Sequence, residues 1–184
     1  MVAIARPADS PVVIDRRRIE LVDSKVPGAA QPYHAAEGLD LKEAEKLVNR
    51  SVEEARRRAR QALCAVIEDL GKKGYDAVAC GILLASGRPA TTLAATLASH
   101  ALIHSAEGEL FREALMHASK HCGLPVTGVK ERELYDRGSA ELGIPIEKLQ
   151  RQVSELGKSI GPPWRQDEKH AAMVAWLALA AAHL

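Results

Sequence analysis

The 184 residues suffice for one domain with a substantial core, and with 47% apolar but only 3% aromatic content that core must be built from Ala, Leu, Val and Ile. The 25 Lys and Arg against 24 Asp and Glu leave a net charge of +1, which speaks against a global basic field for nucleic acid while leaving room for a local patch. Met1-Val2-Ala3-Ile4-Ala5-Arg6-Pro7 lacks the long apolar segment of a secretory signal, and the apolar run Ala171 to Leu184 is too short to span a bilayer. These features lead to the expectation of a cytoplasmic protein with no membrane partner. Cys64, Cys80 and Cys122, odd in number and without CxxC spacing, sit in apolar contexts and read as reduced, buried residues.

Val2-Ala3-Ile4-Ala5 and Val12-Val13-Ile14 are short β-type runs separated by the turn sequence Pro7 to Pro11. The alternation in Ile19-Glu20-Leu21-Val22-Asp23 predicts two or three antiparallel strands near the start. Ser24 to Gly38 reads as an irregular connection. A long helix is predicted from Asp40 to Leu70, with Asp40 as N-cap, Glu43 at capping-box spacing, and Glu53–Arg57 and Glu54–Arg58 as i,i+4 pairs. Gly71 and Gly74 stop it.

Asp76 to Leu84 is a nearly continuous apolar run, fit for a buried central strand. Helical periodicity then runs from Thr92 to Cys122, with Leu93, Leu97, Ala101, His104, Gly108, Phe111, Leu115 and Cys122 on one stripe. Val126 to Val129 is a strand, and a polar helical region to Leu156 breaks at Ile144-Pro145. After the rigid Gly161-Pro162-Pro163-Trp164, a last helix spans Asp167 to Ala182. Early antiparallel strands followed by alternating helices and strands predict a single α/β domain over residues 1–184, a mixed sheet with helices on its faces.

Asp167 and His170 are three residues apart, at the mouth of an apolar helical face that continues through Val174, Leu177 and Ala181. They form either one corner of a site, or a cap (Asp167) beside a partly buried, hydrogen-bonded imidazole (His170). His100–His104 and His117–His121 are i,i+4 pairs able to grip a transition metal from one helix face, though too far apart to share an ion. The plainer reading is amphipathic surface, with His104 near the core. Arg56-Arg57-Arg58 reads as a solvated face partnered by Glu53 and Glu54, and Arg16-Arg17-Arg18 as the better phosphate-binding patch. Ser86-Gly87-Arg88-Pro89 lies between a strand and a helix, as phosphate loops do, but has one Gly and no GK[ST].

The element order resembles the ribonuclease H-like fold, and within it the RuvC-like Holliday-junction resolvases. Asp76-Ala77-Val78-Ala79 is similar to that family's central strand, and His104 to Phe111, running on to Cys122-Gly123-Leu124-Pro125-Val126, to its next helix and strand. Gly138 to Gly157 is similar to the stretch leading into its last catalytic helix. Pro162 to Ala172 is similar to its proline-containing turn and acidic D-x-x-D/H-A helix start. The likeness covers residues 60 to 182.

The resemblance implies a metal-dependent nuclease that hydrolyses phosphodiesters in structured DNA or RNA with Mg2+ or Mn2+, and a homodimer that engages two strands symmetrically. Asp167 and His170 would be ligands. The family's first-strand Asp and central-strand Glu fall on Ala5 and Gly81 here. Glu107 or Glu109 would then replace the central-strand acid, with Asp15 as a further carboxylate, and Arg16, Arg17, Arg18 and Arg88 would meet nucleic acid. The rival expectation is a catalytically degenerate scaffold that serves as a nucleic-acid- or protein-binding module.

Overall fold

The computed structural model describes residues 1–6, 10–85 and 92–182. The chain divides into two compact units interleaved in sequence: Met1–Ile19, Ile67–Leu84 and Gly123–Leu184 form one, Glu20–Val66 and Ala85–Cys122 the other. The first holds all the strands found among the described residues. The second is helical.

In the strand-bearing unit, β1 (Val2–Ala5) and β2 (Val12–Arg16) pair antiparallel, Val2 opposite Arg16 and Ala5 opposite Val12, with an irregularity between Ala3 and Ile4. β3 (Cys80–Leu84) and β4 (Val126–Lys130) pair in parallel over their full length. The α/β character is thus present, with both strand orientations. The expected single mixed sheet is instead two two-stranded ladders among the described residues. Ile19 to Asp23 forms no strand, and Asp76 to Ala79 precede β3 outside any helix or strand.

A single helix draws on both ladders. α7 (Gln166–Ala181) packs on β1, β3 and β4, and also on α5 (Leu134–Leu142) and α6 (Ile146–Leu156). With neighbours on several sides it is apolar nearly all round: Ala172, Met173, Val174, Trp176, Leu177 and Ala178 are buried. Met173, Val174, Trp176 and Leu177 share a core with Val129, Leu134, Leu149 and Val153. Gly81 marks where β3 meets this helix. A Cβ there would lie 2.6 Å from the Val174 carbonyl carbon and closer still to its oxygen, so no side chain fits. The Ile144-Pro145 break between α5 and α6 is as expected.

In the helical unit, α2 (Leu41–Lys72, of which Leu41–Val66 belong here) starts as expected: Asp40 Oδ1 accepts the Glu43 N–H at 3.1 Å. It runs past Gly71. Its stop is Gly74, at φ +82, where the Tyr75 N–H reaches back to the Leu70 carbonyl at 3.0 Å. The predicted helix from Thr92 is two helices, α3 (Leu93–Leu97) and α4 (His100–His121), restarted at Ser99 in extended backbone. That restart resets the helical phase. The buried face of α4 is Ile103, Glu107, Leu110, Ala114 and Ala118, one position off the expected stripe, and His104 is exposed rather than near the core. Ala55 and Ala59 of α2 cluster with Leu110, Ala114 and Ala118. A four-residue helix, α1 (Pro32–Ala35), occupies the segment read as irregular.

Two further expectations need correction. Cys64 is exposed, and Cys80 and Cys122 are half-buried, so the cysteines are not core residues; Cys64 Sγ lies 3.4 Å from Cys122 Sγ. No helix among the described residues is long and apolar enough to cross a membrane.

Candidate functional site

The start of α7 is set by the turn before it. The Arg16 guanidinium, at the end of β2, donates to the carbonyls of Gly161 (2.9 Å), Pro162 (3.2 Å) and Pro163. The Trp164 indole N–H donates to the Val153 carbonyl at 2.9 Å, fixing the turn against α6. The N-cap of α7 is Arg165, and Glu168 at N3 completes a capping box: its Oε2 accepts the Arg165 N–H at 2.7 Å, an interaction that pulls its carboxyl below the ordinary range. Asp167 therefore does not cap the helix. It lies exposed in the first turn, where a carboxylate favours the helix dipole, and makes no hydrogen bond or ion pair among the described residues.

His170 is 9% exposed. Its Nε2 contacts the Gln166 side-chain amide, its Nδ1 is 3.4 Å from Glu131 Oε1, and the Tyr135 ring lies edge-on at 6.2 Å. The imidazole is thus held by Gln166 and Glu131, residues that the sequence reading did not single out. Glu131 follows β4 directly, and a carboxylate just beyond a strand end is the signal that could have found it.

The other expected acids are engaged elsewhere. Asp15, on β2, accepts from Arg17 Nε at 2.6 Å and Nη2 at 3.0 Å, and its side chain is only 12% exposed. Arg17 also donates to Asp69 at 2.8 Å. The Arg16 and Arg17 guanidiniums are thus engaged within the protein, Arg16 by the turn carbonyls and Arg17 by Asp15 and Asp69. Arg18 is exposed, and Arg88 lies outside the described residues. Glu109 pairs with Arg112 at 3.8 Å. Among Arg56 to Arg58 the ion pairs are Glu53–Arg56, Glu54–Arg57, Glu54–Arg58 and Asp23–Arg58; the expected Glu53–Arg57 pair is absent among the described residues.

Glu107 has the most structured surroundings. Buried at 8% exposure, its Oε1 accepts the backbone N–H groups of Tyr33 and His34 at 3.1 Å each and lies 3.0 Å from His34 Nδ1. Pro32 supplies the fixed φ at the start of α1, and the buried carboxylate receives the amides there. The His34 ring is thereby set against His100 and His104, with ring centroids 5.2 and 4.7 Å away. His100 and His104, one turn apart on α4, stand with Nε2 atoms 3.0 Å apart. One ligating nitrogen from each of the three imidazoles lies within 4.8 Å of the others. The i,i+4 pair was legible in the sequence. His34, 66 positions before His100, was not. The pair His117–His121 gains no third ligand among the described residues.

No protein-family model, no curated protein and no solved structure matches this chain.

Proposed function

We propose that the chain is a catalytically degenerate relative of the RuvC-like resolvases, an α/β scaffold of ribonuclease H-like descent that binds structured nucleic acid without cleaving it. One observation carries the loss of catalysis. Asp15 and Glu107, which would complete a carboxylate site with Asp167, are both held by donors within their own units, Asp15 by Arg17 and Glu107 by His34 and two amides. Phosphodiester hydrolysis on paired metal ions needs several carboxylate oxygens free to converge on the ions, and Mg2+ dehydrates only for such hard ligands. Ala5 and Gly81 supply none. The close approach of Val174 to Gly81 supports reading that position as packing rather than as a vacated ligand. Nucleic acid as the partner rests on the family resemblance alone, as does a homodimer.

A second reading, a metal-dependent nuclease, is favoured by Asp167, whose exposed carboxylate stands in the same helical turn as His170, with Glu131 near that imidazole. The two separate on one pair of assays. The full chain is mixed with branched and single-stranded DNA and RNA in Mg2+ or Mn2+, and both binding and cleavage are followed. The expected result is salt-sensitive binding of branched substrates with no cleavage, unchanged in Asp167→Ala. Cleavage that Asp167→Ala abolishes would establish the nuclease instead. Absence of binding at low salt would leave a protein as the scaffold's partner.

A further inference from the structure

We propose that His34, His100 and His104 bind one Zn2+ ion, with Glu107 as the positioning residue behind His34 and a solvent-facing fourth coordination position. The site lies wholly within the helical unit and does not depend on any nuclease ancestry.

The geometry is close to what zinc requires. Two nitrogens bound at the usual Zn–N length of about 2.0–2.1 Å with a tetrahedral angle stand about 3.3 Å apart. The Nε2 atoms of His100 and His104 are 3.0 Å apart, and the three-imidazole set closes within 4.8 Å, so rotamer adjustments of a fraction of an ångström to about 1 Å bring all three onto one ion. Three imidazole nitrogens gather within 4.8 Å of one another. A single N–H shared between His100 and His104 satisfies two of them at most.

Glu107 adds what a chance meeting of surface histidines lacks. A histidine that ligates a metal characteristically gives its other ring N–H to a carboxylate, which fixes the tautomer and the ring plane. His34 fits this: a carboxylate oxygen accepts, so the Nδ1–H of His34 is the donor to Glu107 Oε1 at 3.0 Å, which leaves the lone pair on Nε2. The same carboxylate oxygen takes the Tyr33 and His34 amides, so the ring and the backbone that carries it are fixed to α4 together. Two ligands and the carboxylate come from one 22-residue helix, a stiff frame on which the ligand spacing is built in. An all-nitrogen set of three imidazoles suits Zn2+ and its neighbours Co2+, Ni2+ and Cu2+, and does not suit Mg2+. His100 and His104 are exposed, which leaves the remaining side of the ion to water or to an exchangeable oxygen ligand.

The test uses the full chain, stripped with chelator, dialysed, and titrated with Zn2+ in competition with a chromophoric chelator. One ion per chain is expected. Because both residues are exposed, the double variant His100→Ala/His104→Ala should keep its circular dichroism and lose at least about 100-fold in zinc affinity. Glu107→Gln, which keeps an acceptor for the amides, should retain one-to-one stoichiometry and lose about 10- to 100-fold. Co2+ should give the intense visible absorption of a tetrahedral site in the unmodified chain and in Glu107→Gln, but not in the double variant. His117→Ala/His121→Ala and a variant with all three cysteines replaced by Ser should bind as the unmodified chain does. Zinc binding by the folded double variant with unchanged stoichiometry and affinity would overturn the proposal, as would failure of the unmodified chain to bind zinc at micromolar concentration. Wild-type affinity in Glu107→Gln would remove Glu107 from the site.

Discussion

Arg17 holds two carboxylates at once, Asp15 through Nε at 2.6 Å and Asp69 through Nη1 at 2.8 Å. Hydrogen bonding to Asp15 first, and to Asp69 next, favours the charged guanidinium still further, while the Arg17 contact lowers the Asp69 carboxyl. A similar fork at Glu54 has a consequence for acid stability. Hydrogen bonds from Arg57 first and Arg58 next bring its carboxyl from an ordinary 4.5 down to about 2. Since the folded value is the lower one, its stabilisation is fully present above pH 4.5 and disappears as pH falls toward 2. At 39% side-chain exposure solvent screens the pair, and a loss of about 0.5 kcal/mol is expected. Urea unfolding across this range should show a flatter acid limb in Glu54→Gln than in the unmodified chain. Gly81 makes the opposite point, since what matters there is absent volume. Gly81→Ala forces β3 off α7 and should cost about 1–3 kcal/mol in chemical denaturation. A cost near zero would mean that strand and helix separate easily, and Gly81 would again be open to reading as a lost acid.

Among the elements, α7 depends most on its neighbours. The turn before it is pinned by Arg16, whose three acceptors are backbone carbonyls that would otherwise have to find water or another donor. Arg16→Ala should therefore destabilise by about 1–3 kcal/mol. Arg16→Lys should recover only part of this, because an ammonium cannot reproduce the planar fork. Thermal or urea unfolding checks both variants. A loss of nucleic-acid affinity in Arg16→Ala at unchanged stability would return that residue to a phosphate-binding role. Elements with a strong local signal were legible in the sequence: α2 from Asp40 and its apolar repeat, α6 from Pro145, and β1, β2 and β4 from their flanking turns. α1 was not, because four residues carry no periodicity and only Pro32 hints at a helix start. The break at Ala98-Ser99 was also hidden, since apolar spacing continues across it. The real face of α4 then carries Glu107 inward, where periodicity alone would put an apolar residue.

At the scale of the molecule, the chain leaves and re-enters each of its two units, so neither corresponds to a continuous stretch of sequence. Strands at 2–16 and at 80–130 meet α7 only at the end of the chain, and the separation of the ladders depends on register and hydrogen-bond partners that single-strand patterns do not contain. What the sequence by itself determined is local: which stretches are helical or extended, where caps and prolines interrupt them, that the class is α/β, and which side chains have the chemistry to act. Tertiary structure decided which of those side chains are available. Asp15 is taken by Arg17, and Arg16 by the Gly161–Pro163 turn. Glu107 lies beneath His34, and three histidines from α1 and α4 converge on one point. A carboxylate or a guanidinium reads the same in sequence whether it is free or partnered. Its partners are set by chain folding over tens of residues, and only that decides whether its charge is already neutralised or open to a ligand.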